Sequence, residues 1–226
     1  MTEFTTWRSL VDGAEISAIP DSGMLHAHYD ATQLGQSDGS SVDTWTDESE
    51  NGYDATGGSP IYREDGINGH PALEFDGTDD TFSVSSSDWD DLEDPFTIYG
   101  VVELVGVSSR GSIINHPTST GTSDRIIFRW DPDWRVLAVN NGFTGSSDDS
   151  VQMLGLIFDG DDGILREDGS ETASESNSGE MMDALQIGSQ RDEEEYWDGY
   201  MGEILIYDGE PSISDVESYL SAKWDL

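Results

Sequence analysis

The chain has no cysteine and a single lysine, Lys223. Without cysteine there are no disulfide staples, no thiolate nucleophile and no thiolate metal site. With one lysine and eight arginines the chain carries nine basic groups against 48 acidic ones, a formal net charge of −39 over 226 residues. So few basic groups cannot assemble the patch that a phosphate backbone requires, which argues against direct nucleic-acid binding. No stretch reaches the roughly 18 apolar residues of a membrane-spanning helix, so membrane insertion is not expected. The N-terminal MTEFTTWRSLVDGAEI lacks the charged-then-apolar pattern of a secretory signal and has no twin arginine, and synthesis in the cytoplasm without export is the expectation. Phosphate-binding glycine loops and a nucleophile-elbow serine are missing as well.

What is present separates the chain from a disordered acidic tail. Hydrophobic residues make up 35%, with 7 Trp, 8 Tyr and 7 Phe, enough to build a core. The length fits one large β-domain. The charge is spread along every segment, and a fold carrying it repels itself in dilute buffer. In molar salt the Debye length falls to roughly 3 Å and that repulsion is screened. Scarce lysine also limits exposed alkyl stem. Together these features point to an extreme halophile, or to a virus that infects one.

The C-terminal end is the most explicit stretch. Glu203-Ile204-Leu205-Ile206-Tyr207 is a β-branched and aromatic run bounded by Gly199 and Gly202 before it and Asp208-Gly209 after it. Pro211 blocks further pairing, and Ser214 with Glu217 fits a capping box that opens a helix. Val216, Tyr219, Leu220 and Trp224 then form an apolar stripe on one helical face. A helix this short needs a surface to pack on. Upstream, alternating or continuous apolar runs over 24–30, 42–47, 72–77, 81–84, 96–105, 112–115, 125–130, 135–140, 151–158, 164–167 and 184–187 read as strands. About a dozen short strands, regular turn signals and one late helix predict an all-β fold, a two-sheet antiparallel jelly-roll sandwich with one C-terminal helix. Residues 1–23 lack a clean periodicity and read as an N-terminal arm, with the domain over 24–226.

Several phrases together resemble the concanavalin A-like superfamily of lectins and glucanases, in its laminin-G-like jelly-roll form. They are Leu25–Ala31, Trp45-Thr46-Asp47 with Asn51-Gly52 and Asp54-Ala55, Pro60-Ile61-Tyr62, and Gly66-Ile67-Asn68-Gly69 followed by Pro71 to Asp80. Leu185 to Ser189, Asp198 to Ile204, and the helix ending in Tyr219-Leu220 and Lys223-Trp224 complete the set. The resemblance implies a sandwich whose loops or concave face often bind glycans, and it places Tyr29 in the core.

Chemistry has few places to reside. Glu74-Phe75-Asp76 echoes the strand-borne acid motif of jelly-roll glucanases, but Asp79 stands where the last glutamate belongs, after a Gly77-Thr78 turn. Asp76, Asp79 and Asp80 could hold Ca2+, whereas the loops beginning at Asp47 and Asp159 are incomplete as calcium loops. His26 and His28 share a strand face by alternation, with no third metal ligand evident. The better lead is aromatic: Trp89, Trp130, Trp134, Tyr196 and Trp197 lie beside acids and turns, where rings stack on sugars, while Trp45 and Trp224 read as core. The expectation is a non-catalytic recognition and structural module on a virion surface, such as a capsid turret, decoration or tail protein. It would bind host-cell-surface glycans and dock to copies of itself or other virion proteins through residues 1–23. Glycoside hydrolase, or a cellular carbohydrate-binding protein, is the alternative. Charge alone makes one prediction. Dilution from molar salt to about 0.1 M, where the Debye length is about 10 Å, unfolds or dissociates the protein, and circular dichroism unchanged across that range would contradict it.

Overall fold

The computed structural model describes residues 10–11, 14–15, 18–85, 87–106, 111–116, 127–130, 133–137, 142–146, 150–177, 181–190 and 195–226. In chain order the strands are β1 (Leu10–Val11), β2 (Ala14–Glu15), β3 (Leu25–Asp30), β4 (Thr44–Trp45), β5 (Ala55–Thr56), β6 (Ile61–Ile67) and β7 (His70–Asp76). They continue with β8 (Phe82–Val84), β9 (Leu92–Glu93), β10 (Phe96–Leu104), β11 (Gly111–Asn115), β12 (Ile127–Trp130), β13 (Trp134–Leu137) and β14 (Gly142–Thr144). The last are β15 (Gln152–Phe158), β16 (Asp162–Glu167), β17 (Ser170–Ser176), β18 (Met181–Met182), β19 (Leu185–Ile187) and β20 (Asp198–Asp208), before the helix α1 (Ile213–Trp224).

Two antiparallel sheets face each other. The first runs β17-β16-β15-β10-β20-β7-β6, and β3 also pairs with β20. The 11-residue β20 is long enough to serve two partners along one edge: Asp198 to Met201 pair with β7, and Glu203 to Tyr207 pair with β3. The second sheet runs β14-β13-β12-β11-β19-β8-β5-β4. Alternation along β10 divides its side chains. Phe96, Ile98, Val102 and Leu104 join the cluster between the sheets, whereas Tyr99 and Val101 join a second cluster under α1. The all-β sandwich closed by one C-terminal helix is therefore as the sequence predicts.

Some details differ. The N-cap lies two residues before the expected one: Ser212, not Ser214, precedes the helix. Ser212 Oγ donates to Asp215 Oδ2 (2.8 Å), and Glu217 is engaged instead by Tyr99 Oη (2.9 Å) and Arg166 Nε (2.6 Å). Asp21 Oδ2 accepts from Ser212 N (2.7 Å), so the turn ahead of β3 is tied to the start of the helix. β6 and β17 carry too many polar residues to read as strands; β17 is Ser-Glu-Thr-Ala-Ser-Glu-Ser and lies at the sheet edge, where one side faces water. Most of the expected arm lies outside the described residues.

The stripe Val216, Tyr219, Leu220 and Trp224 is buried on the first sheet. Trp224 seats directly over Gly202, where any Cβ would lie 2.4 Å from the indole, so the close approach requires glycine. Each such side chain contributes about 1.5–3 kcal/mol on burial. Beneath them, fully buried Glu203 receives four donors: His28 Nε2 (2.8 Å) and Tyr219 Oη (2.9 Å) on Oε1, and Trp224 Nε1 (2.7 Å) and Lys223 Nζ (2.8 Å) on Oε2. Lys223 Nζ also donates to Asp30 Oδ2 (2.7 Å). Burial pushes the Glu203 carboxyl up, but the Lys223 charge and the His28 hydrogen bond outweigh it and hold the group down at about 2. For Lys223 burial works downward and is likewise outweighed, by Glu203 and then Asp30, so its ammonium titrates above the ordinary range.

The sign follows from linkage. The Glu203 contribution is complete above the ordinary carboxyl pKa and is lost as pH falls through about 2. The Lys223 contribution is complete below its ordinary pKa and disappears only at more alkaline pH. Removing one member alone, by Lys223→Met or Glu203→Leu, is expected to cost about 3–5 kcal/mol in urea unfolding at molar salt, since the other charge stays buried without its partner. A cost below about 1 kcal/mol would make the network dispensable.

Candidate functional site

α1 covers the outer face of the first sheet, and on the second the outward residues of β4, β5 and β8 are exposed while β11 and β19 are buried throughout. Strands β4, β5, β8 and β19 alternate apolar-in and polar-out. Trp45, Ala55, Phe82, Ile187 and Ile114 point to the core. Their neighbours Thr44, Thr56, Ser83, Gln186 and Asn115 pair successively across β4, β5, β8, β19 and β11 to make one transverse polar row. Thr44, Thr56 and Ser83 are exposed, whereas Gln186 and Asn115 are buried. Ser112, Arg129, Arg135 and Thr144 occupy the next row in register.

A chain of side-chain hydrogen bonds orders this row. Asn115 Nδ2 donates to Gln186 Oε1 (3.4 Å), Gln186 Nε2 donates to Ser189 Oγ (2.9 Å), and Ser189 Oγ donates to Thr81 Oγ1 (2.8 Å). Two atoms remain outside it. Asn115 Oδ1 and Ser112 Oγ are fully buried and make no hydrogen bond within the protein. Buried polar atoms in native proteins are ordinarily served by a protein group, ordered water or a ligand.

The aromatic expectations divide. Trp89, Trp134 and Trp197 are buried core residues, not loop platforms. Trp134 and Trp197 stack on each other at 5.9 Å between the sheets, and Trp89 Nε1 donates to Met182 O (3.0 Å). Trp134 opens β13, whereas Trp89 and Trp197 lie in connecting segments whose rings fold back into the core. Trp130 pairs with Trp134 in the ladder, and its side chain lies outside the described residues. Among the four whose side chains are described, Tyr196 alone is partly exposed, and Ser112 N donates to the carbonyl of its neighbour Glu195 (3.0 Å), which brings it to the end of the polar row. Tyr29, Trp45 and Trp224 are buried as expected.

Asp76, Asp79 and Asp80 do converge, with one carboxylate oxygen of each lying within 4.8 Å of the others. Asp80 is buried and accepts from Ser59 Oγ (2.9 Å) and Asp76 N (3.0 Å). Burial, then Asp76 and Asp79, raises its pKa against those hydrogen bonds. Asp47, by contrast, spends its oxygens on the amides of His28, Ser49, Gly52 and Tyr53, so this loop is folded around its own carboxylate. The shared face expected for His26 and His28 is overturned. A bulge opposite Ile206 and Tyr207 leaves His26 unpaired and turns it toward Tyr53 and Trp89, while His28 contacts Glu203 under the helix. There the Lys223 ammonium fills the position a metal ion would take between Asp30 and Glu203.

Glu74 lies on β7 with about a third of its side chain exposed, and it accepts from Arg63 Nε (2.5 Å). Cross-strand pairing sets Asp198 opposite Asp76 and Tyr200 opposite Glu74. Burial, then Asp76 and Glu74, raises the Asp198 carboxyl.

No protein-family model matches the sequence, and no curated protein does. The fold has many structural relatives. The sialidase of Trypanosoma rangeli in complex with sialic acid superposes with a TM-score of 0.63 at 14% identity, over 97% of this chain and 36% of the sialidase. The receptor-binding domain of botulinum neurotoxin type G gives 0.62 at 12% identity, over 88% of this chain and 51% of that one. Domain 4 of AbnA, a GH43 extracellular arabinanase from Geobacillus stearothermophilus in complex with arabinotriose, gives 0.58 at 15% identity, over 86% and 97%. The chain thus spans about a third of the sialidases it superposes on. At such identities the likeness is one of fold, a two-sheet antiparallel β-sandwich.

The burial of the tryptophans has a direct consequence. Trp89→Ala, Trp134→Ala and Trp197→Ala each lower unfolding stability by about 3–5 kcal/mol, whereas Tyr196→Ala stays within about 1 kcal/mol. Denaturant unfolding of the four variants in molar salt decides this, and a neutral Trp134→Ala would contradict the core assignment.

Proposed function

We propose that the chain is a non-catalytic glycan-recognition module, carried on the surface of a virion that infects a halophilic host. The observation carrying this reading is the polar row of the second sheet, with Asn115 Oδ1 and Ser112 Oγ lacking partners. Sugar hydroxyls, or the waters bridging to them, both donate and accept, and suit a floor of amides and hydroxyls spaced by the strand separation of about 4.8 Å. Tyr196 at the end of the row supplies a partly exposed ring. The fold relatives support the class of ligand: one is in complex with sialic acid, one with arabinotriose, and one is a receptor-binding domain. Recognition without cleavage is favoured because the Glu74 carboxylate is tied to Arg63 rather than free to exchange a proton. The halophilic setting rests on the net charge of −39, and docking to copies or other virion proteins is assigned to residues 1–23. Ca2+ at Asp76, Asp79 and Asp80 would brace the turn after β7 by neutralising three converging carboxylates.

A glycan array probed in molar salt is expected to retain the protein. Asn115→Ala and Ser112→Ala should weaken retention about tenfold, or 1.4 kcal/mol, and Ser112→Ala, which breaks no hydrogen bond within the protein, should leave the unfolding midpoint little changed. An array without bound glycan, or variants that bind like the parent, would remove the reading. Wild type and Glu74→Gln should both release no sugar from polysaccharide. Adding Ca2+ should raise the melting temperature and a chelator should lower it, with an unchanged melt excluding the ion.

A further inference from the structure

His26 is the bulge residue of β3, skipped by the ladder between Leu25, which pairs with Tyr207, and Ala27, which pairs with Ile206. Bulges redirect a side chain, and here the imidazole is directed into a three-ring cluster. It stacks on Tyr53 with centroids 5.0 Å apart and meets Trp89 edge-on at 4.5 Å, and Tyr53 and Trp89 lie 5.0 Å from each other. The His26 carbonyl accepts from Ser49 Oγ (3.3 Å) and Asn51 Nδ2 (3.0 Å). Two loops, 46–54 and 87–92, therefore converge on this one residue. Trp89 extends the connection by donating to Met182 O, which belongs to the β9–β18 ribbon. The ring is buried, and its Nε2 has no hydrogen-bond partner.

We propose that His26 is the bolt of an acid-operated latch: a proton taken up at Nε2 drives the ring out from between Tyr53 and Trp89 and frees loops 46–54 and 87–92. The reasoning is geometric. Neutral imidazole tolerates an empty side at Nε2, because the unprotonated nitrogen loses only one acceptor bond. Imidazolium places a charged N–H there with nothing to receive it, and the missing bond is then a charged one. Satisfying that N–H means reaching water or a carboxylate, which breaks the stack.

The titratable groups around the ring are Asp208 at the end of β20, Asp90 and Asp47 in the two loops, and Tyr53 itself. Burial lowers the His26 pKa, and it outweighs the upward pull of Asp208, then Asp90, then Asp47. A lowered pKa means that loop closure has its full stability above the ordinary histidine range and loses it as pH falls through the folded value. Asp208 and Asp90, which fail to hold the proton in the closed form, are exposed acceptors for the ring once it has swung out.

Amide hydrogen exchange on the full chain in molar salt, corrected for intrinsic rates, between about pH 7.5 and about pH 5 tests this. Protection of 46–54 and 87–92 is expected to fall by about tenfold per pH unit below the onset, while β10 and β20 keep theirs. His26→Phe preserves the ring packing but cannot take a proton, and it should hold both loops closed at the acid end. Wild-type loops equally protected at both pH values, or a His26→Phe protein whose loops open as wild type does, would overturn the latch. Should His26→Phe not fold, proton NMR of the His26 ring in the wild type decides instead. Loop opening that tracks the ring's own titration supports the latch, and opening at a different pH overturns it.

Discussion

A carboxylate removed from water stays ionised only if the protein replaces what water supplied. Glu203, at the centre of the longest strand and fully buried, is the most demanding group in this chain. Three of its four donors come from the last turns of the helix, and the fourth comes from β3. Desolvation of both ions is costly, and only near-complete hydrogen bonding offsets it. The helix therefore cannot slide or rotate on the sheet without leaving a charge bare. The network contributes register more than net stability: it fixes where α1 sits, and hence which sheet face is covered. Apolar burial by Val216, Leu220 and Trp224 supplies the driving force, and Glu203 supplies the address.

Covering one face decides the character of the other. The first sheet has clusters on both of its faces, so β15 and the centre of β20 are buried nearly throughout. Among the described residues, the strands of the second sheet carry threonine, serine, glutamine and asparagine on the side away from the core. The division of labour is thus set by where the helix lies. One sheet is scaffold on both faces, and the other presents Thr44, Thr56 and Ser83 to the exterior at one end of a polar row that runs inward to Gln186 and Asn115.

Much of this was legible in the sequence because strand alternation and helix periodicity leave direct traces. The stripe from Val216 to Trp224 and the run Glu203 to Tyr207 identified the helix and the central strand. The cap was misplaced because Ser212 and Ser214 offer near-equivalent patterns, each followed by an acid at the third position. Strands β6 and β17 were missed since edge strands satisfy half their backbone with water and need little apolar content. Trp89, Trp134 and Trp197 differ from expectation because neighbouring acids do not tell which way a ring turns, and a loop tryptophan can fold into the core as readily as a strand one. The approach of Asp76, Asp79 and Asp80 was readable, since a tight turn after β7 brings residues three and four apart together. The polar row was not, because Thr44, Thr56, Ser83, Gln186 and Asn115 are brought together by pairing alone. Nor was the bulge at His26, which breaks the alternation that made it resemble His28.

One further consequence concerns the lone lysine. Its Nζ lies beneath the helix, held by Asp30 and Glu203, and every other cationic side chain apart from histidine is an arginine. The folded exterior consequently offers no lysine ε-amine to acylating reagents, to lysine-directed conjugation or to proteases that cut after lysine. Reactivity at that position would report the helix lifting away, which makes Lys223 a built-in chemical indicator of whether the sandwich is closed.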